Sequence, residues 1–101
     1  MWAQLITMRL KPGKEMAEVH NQLRAVEQPG SGLVRTLVMQ DQKDSSQVYT
    51  LVVFETEEKA RAREQDPRRQ EALHAARAVM ADIFDGPPQF TDLRVAEEWT
   101  G

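Results

Sequence analysis

The chain contains no cysteine. That single absence excludes a disulfide framework, a thiolate zinc site and a cysteine nucleophile, and it is compatible with a cytoplasmic location. No apolar run approaches the ~20 residues that a membrane helix requires, and no basic-then-apolar leader opens the sequence. Neither a membrane partner nor secretion is therefore expected. Basic blocks are missing as well. The net charge is −3, and the densest basic group, Arg61, Arg63, Arg68 and Arg69, is interleaved with Glu57, Glu58, Glu64 and Asp66. Nucleic-acid binding needs a clustered positive footprint, so no nucleic-acid partner is expected, and this group reads as a solvated helix surface.

Histidine occurs only at positions 20 and 74, with no spaced His/carboxylate motif near either, so no metal site is expected. Gly30-Ser31-Gly32 lacks the lysine and the spacing of a phosphate loop. What is present suits one folded domain spanning residues 1–101: 41% hydrophobic and 29% charged residues argue against disorder.

The most strand-like run is Val48–Glu55, β-branched or aromatic at most positions. Val48, Thr50, Val52 and Phe54 alternate with Tyr49, Leu51 and Val53, so both faces are largely apolar and the run predicts a central strand covered on both sides. Trp2–Leu10 predicts a first strand, with Trp2, Gln4, Ile6, Met8 and Leu10 on one face, and Lys11-Pro12-Gly13 ends it. Residues 14–27 carry a helical stripe of Met16, Val19, Leu23 and Val26. Leu33–Gln40 predicts a second strand, with Leu33, Arg35, Leu37 and Met39 on one face. The polar stretch 41–47 then predicts a hairpin loop. Thr56 predicts a helix cap, and Asp66-Pro67 a second cap for a segment running to Phe84. The apolar stripe of that segment is Leu73, Ala76, Met80 and Ile83, flanked by Ala72, Val79 and Phe84. Residues 90–99 predict a last strand, with Leu93, Val95 and Trp99 on one face.

Strand, helix, strand, strand, helix, strand is the ferredoxin-like βαββαβ order. It predicts an α+β fold with a four-stranded antiparallel sheet and both helices on one face. The other face keeps about half of the strands' apolar side chains, and a second copy laid against it would cover them. The expected partner is therefore the chain itself, as a homodimer through the sheet face, with Arg9, Arg35 and Thr50 needing partners or water.

Three segments carry a family resemblance: Lys11-Pro12-Gly13-Lys14 after the first strand, Glu27-Gln28-Pro29-Gly30 before the second, and Val52-Val53-Phe54-Glu55-Thr56-Glu57-Glu58 entering the later helical region. With the element order, the chain resembles the dimeric α+β barrel superfamily, specifically its antibiotic biosynthesis monooxygenase-like domains. That resemblance implies a pocket between the sheet and the later helical region, and a cofactor-independent monooxygenase acting on a small aromatic or polyketide-type substrate. Met8, Phe54 and Arg63 would line it, and His74 would act as the catalytic proton relay. Two other readings stand beside it. One is a non-catalytic dimeric ligand-binding or accessory module. The other is heme binding or degradation, whose branch uses an asparagine and a tryptophan where Met8 and a residue near Arg63 stand here. Neither of the first two readings needs a cofactor.

Several residues admit a binding and a packing role alike. His20 lies at the edge of the first helical stripe. Arg35 and Arg94 could grip an anionic oxygen or pair across strands. Trp2, Tyr49 and Trp99 could stack on a ligand or pack, and Met8, Met16, Met39 and Met80 could line a soft pocket or fill a core.

Overall fold

The fold is seen in a computed structural model that describes residues 1–15, 17–18, 21 and 32–101, with the side chains of 72, 75 and 76 excepted. Four strands form one sheet: β1 (Trp2–Arg9), β2 (Leu33–Gln40), β3 (Gln47–Phe54) and β4 (Gln89–Arg94). Their order is β2-β3-β1-β4 and every pairing is antiparallel. Two helices, α1 (Glu57–Glu64) and α2 (Pro67–Ile83), run between β3 and β4. This is the ferredoxin-like sheet, with β1 and β3 at its centre. Most of the helix predicted over 14–27, including Met16, Val19, His20, Leu23 and Val26, lies outside the described residues. Ala17, Glu18 and Asn21 are helical.

The helix starts are set by local chemistry. The Thr56 hydroxyl accepts the Lys59 N–H at 3.1 Å, and Glu57 and Glu58 occupy the positive first turn of α1. The Asp66 carboxylate accepts the Arg68 N–H at 2.9 Å, and Pro67 needs no donor at the first position of α2. Where α2 ends, the chain is stitched to β1: Lys11 N–H donates to the Ile83 carbonyl at 2.8 Å, and Asp85 N–H to the Arg9 carbonyl at 2.7 Å.

Antiparallel partners share a face, so the register sorts the side chains. Trp2, Gln4, Ile6 and Met8 pair with Phe54, Val52, Thr50 and Val48 and look toward the helices. Two buried clusters form on that side. Met8, Leu10, Val48, Ile83 and Phe84 make one, with Met80 and Val38 against it. Trp2, Val52, Phe54 and Ala60 make the other, with Leu33 against it. Ile6 touches both. The core is thus divided into two ends, and the space between them is left to the site described below.

Three expectations need correction. Leu33 was placed with Arg35, Leu37 and Met39. A bulge between Leu33 and Arg35 breaks the alternation, and Leu33 pairs with Phe54 and packs on the helix side. The last strand stops at Arg94 rather than Trp99, because Arg94 already pairs with Trp2 and β1 has only Met1 left to offer. The ladder continues for one further bond, Val95 N–H to the Met1 carbonyl at 3.2 Å. Val79, placed on the flank of the α2 stripe, is exposed.

The sheet's other face is apolar and half open. Leu5, Leu37 and Leu51 form a row across β1, β2 and β3, with Val53, Met39 and Leu93 around them. Trp99, on the tail beyond β4, is 82% exposed and borders a shallow groove on this face.

Candidate functional site

A cavity of about 540 Å³ lies between the sheet and the helices, within the range of small-molecule sites. Its floor is the helix-facing side of the sheet. Trp2, Gln4, Ile6 and Met8 come from β1, Thr50, Val52 and Phe54 from β3, and Thr36 from β2. Ala60, Arg63 and Glu64 of α1 close one end, and Arg69, Gln70, Leu73, His74, Arg77 and Met80 of α2 form the roof. Pro88 and Phe90 form the rim at β4, where Phe90 stays 59% exposed. The roof residues recur at steps of three and four, so one stripe of α2 meets the cavity. From Arg69 to Met80 that stripe is ~16 Å long, and from Trp2 to Met8 the floor runs ~20 Å. The space is a trough rather than a round hole.

Met8, Phe54, Arg63 and His74, the four site residues expected from the sequence, all line this trough. Met8 lies toward the Ile83 end. Phe54 lies at the opposite end, its ring tilted against Trp2 with centroids 6.3 Å apart. The Arg63 guanidinium carbon sits 5.2 Å from the Phe54 ring centroid, a cation–π contact that holds the arginine over apolar floor. His74 is exposed on α2 while lining the cavity, so its imidazole stands between the trough and water.

The trough also collects residues that the sequence left in other roles. Arg61, Arg63 and Arg69 belong to the group read as solvated surface, but each is half-buried, Arg63 and Arg69 lining the trough and Arg61 outside it, and only Arg68 of that group is exposed. Arg61 lies with its guanidinium carbon 5.1 Å from the Trp2 ring centroid and donates to Asp92 at 2.9 Å. Arg69, Gln70 and Arg77 were not singled out for a site, although their spacing around Leu73 puts them on its stripe. Thr50 was expected to need a partner in the sheet-face interface. It faces the helices instead, 1% exposed, and its hydroxyl has no hydrogen-bond partner among the described residues. Arg35, Tyr49, Met39, Arg94 and Trp99 do not line the trough. Arg35, Arg94 and Trp99 border the groove on the outer face. Trp2, Met8 and Met80 serve both as core and as lining.

Charge near the β4 rim is ordered. Asp92 accepts from the Gln4 amide at 3.0 Å and from Arg61, and these two contacts, the first the larger, hold its carboxyl below its ordinary value. Among the described residues, no three His, Asp or Glu side chains gather as metal ligands would, and no helix is long and apolar enough to cross a membrane.

No family model matches the chain, and no curated protein does. Solved structures do match. A protein of Chloroflexus aurantiacus described as a candidate antibiotic biosynthesis monooxygenase superposes over all of both chains at TM-score 0.66 and 23% identity. A protein of Mycobacterium tuberculosis superposes over 98% of each chain at TM-score 0.71 and 13% identity. An MhuD variant with two manganese protoporphyrin IX molecules bound per active site superposes over all of both chains at TM-score 0.73 and 13% identity. At these identities the likeness is one of architecture: the chain has the fold of the antibiotic biosynthesis monooxygenase-like domains.

Proposed function

We propose that the chain is a cofactor-independent monooxygenase acting on a small aromatic substrate. The observation that carries this reading is the trough itself, where an apolar floor, a cationic wall and the His74 imidazole at the water boundary meet in a single space. A substrate of the anthrone type, with an acidic CH₂ beside a phenolic ring, supplies its own electrons. Loss of a proton gives a carbanion, which passes one electron to dioxygen and recombines with the superoxide as a peroxide. Protonation and loss of water then leave a carbonyl, so that R₂CH₂ and O₂ become R₂CO and H₂O. The protein's share is orientation of the ring, exclusion of water and movement of the proton. His74 takes that proton and returns it to the peroxide. Oxygen uptake with anthrones and naphthohydroquinones, with one atom of ¹⁸O₂ appearing in the product, tests the reading; no uptake with any of them removes it.

A binding role without turnover uses the same trough, and saturable binding with no oxygen consumption would establish it instead. The MhuD neighbour favours a third reading, a porphyrin site. Of the described lining residues, His74 and the thioethers of Met8 and Met80 match the axial ligands that haem iron takes. A hemin titration without a Soret shift disposes of that reading.

The same fold supports a homodimer through the outer sheet face. Leu5, Leu37, Met39, Leu51, Val53 and Leu93 stand half-exposed or exposed there. Each gains about 1 kcal/mol on passing from half to full burial, and an apolar face of this extent is unusual on a lone subunit.

A further inference from the structure

The chain as a whole is acidic, yet the trough is not. Among the described lining residues, three arginines, Arg63, Arg69 and Arg77, stand against one carboxylate, Glu64. Concave apolar walls focus the field of such a set on whatever enters. Neighbouring arginines outside the trough are matched locally, Arg61 by Asp92 and Glu57, Arg68 by Asp66. Arg63 and Arg69 have contacts of their own. Arg77 differs. It lies one turn beyond Leu73 on the roof stripe, exposed, and makes no ion pair or hydrogen bond to any described residue. A guanidinium with no partner among the described residues, standing over an apolar trough, suits a planar anion that takes two parallel N–H bonds.

The second observation is independent and lies on the floor. Thr50 is 1% exposed, sits between Val48 and Val52 on β3, pairs with Ile6, and lines the trough with its hydroxyl unpartnered among the described residues. Buried hydroxyls are nearly always hydrogen-bonded, because leaving one unmade is costly. A ligand oxygen arriving at the floor would remove that cost, and an apolar ligand would not.

We propose that the occupant is a planar aromatic carboxylate bearing an oxygen on its far edge. The acid group accepts from Arg77 at the mouth. The ring lies between Leu73 and Met80 above and Ile6 and Val52 below. The far oxygen hydrogen-bonds to Thr50. This rests on the aromatic-substrate reading above and narrows it to acids.

The probes are 6-hydroxy-2-naphthoate, its methyl ester and 2-naphthoate, titrated by fluorescence with the full chain. The hydroxy-acid is expected to bind at least tenfold more tightly than the ester, and only the acid's affinity should fall with added salt. Arg77→Ala should cost the acid about tenfold and leave the ester unchanged. Thr50→Val, which keeps the shape, should weaken the hydroxy-acid about fivefold and leave 2-naphthoate unchanged. Equal binding of acid and ester in the unaltered protein overturns the proposal, as does an Arg77→Ala loss shared by both. Thermal midpoints confirm that each variant is folded, and the salt dependence needs no variant at all. The two readings fail separately. Oxygen uptake with uncharged and acidic substrates alike would leave the monooxygenase standing without this inference. Tight, Arg77-dependent acid binding with no oxygen uptake would leave this inference standing without the monooxygenase.

Discussion

Arg61 of α1 reaches the edge strand and donates to Asp92 of β4 at 2.9 Å, while its guanidinium lies over the ring of Trp2. Asp92 also accepts from Gln4 of β1 at 3.0 Å. One carboxylate therefore joins three elements at the rim of the trough. Strand β4 pairs with β1 alone in the sheet, so this contact is a second attachment for an edge that would otherwise hang on one ladder.

That attachment should fail in acid. The folded-state carboxyl of Asp92 is held below its ordinary value of 3.8. A depressed value means that the contribution is complete above 3.8 and is lost as the pH falls from there through the folded-state value. Asp92→Asn should therefore lower the thermal midpoint at neutral pH, and the gap to the unaltered protein should close in the acid limb below 3.8. Melting curves followed by circular dichroism across pH 2–7 check this. A gap that stays constant across that range would mean the carboxylate's charge is irrelevant.

Gly32 enters β2 with φ +83°, and its carbonyl accepts the Glu55 N–H at 3.0 Å. A Cβ there would come within 2.7 Å of the Lys59 side chain, which is itself paired with Glu55. Left-handed backbone alone costs a residue with a Cβ roughly 1–2 kcal/mol. Gly32→Ala should cost at least that in urea unfolding, with the slope against denaturant unchanged. The chain's other positive-φ glycines with a described environment, Gly13 and Gly86, have nothing within 4 Å of an added Cβ. Alanine at those two sites should cost only the backbone term.

The fold was largely legible because its signals are local. Thr56 and Asp66-Pro67 mark helix starts by chemistry that needs no tertiary context, and the alternation of Val48–Phe54 fixes a face. Three other features were not legible, each for a physical reason. The bulge that turns Leu33 inward inserts a single residue, and alternation cannot reveal it. The early end of β4 depends on where β1 begins, which is a property of the pairing. The inward turn of Arg61 and Arg63 depends on Trp2 and Phe54 lying beneath them, far away in sequence. Met8, Phe54, Arg63 and His74 were named from resemblance, whereas Thr50 and Arg77 become visible only when sheet and helix are brought face to face.

The row Leu5, Leu51 and Leu37 crosses the centre of the outer sheet face. If a second copy covers it, a charge at its middle position is buried without a partner in the dimer and stays half-solvated in the single subunit. Leu51→Glu should therefore dissociate the dimer while the far-ultraviolet circular dichroism of the subunit persists. Sedimentation at micromolar concentration is the measurement. An unaltered chain that already sediments as one subunit would remove the dimer.

His74 lines the trough and is also exposed, so in the proposed reaction its imidazole would move a proton between a bound carbon acid and water. General acid–base catalysis contributes roughly 10²–10⁴-fold. His74→Ala should lower kcat by about that factor on any anthrone or naphthohydroquinone that the protein turns over. KM should stay nearly constant, because in the proposed binding mode the ring would be held by Leu73, Met80 and the floor rather than by the relay. Free imidazole in the buffer should restore part of the variant's lost rate. A His74→Ala protein with the same kcat would take the relay away from this residue. In that event the carbanion must lose its proton to solvent, and the trough's contribution reduces to holding the ring beside dioxygen.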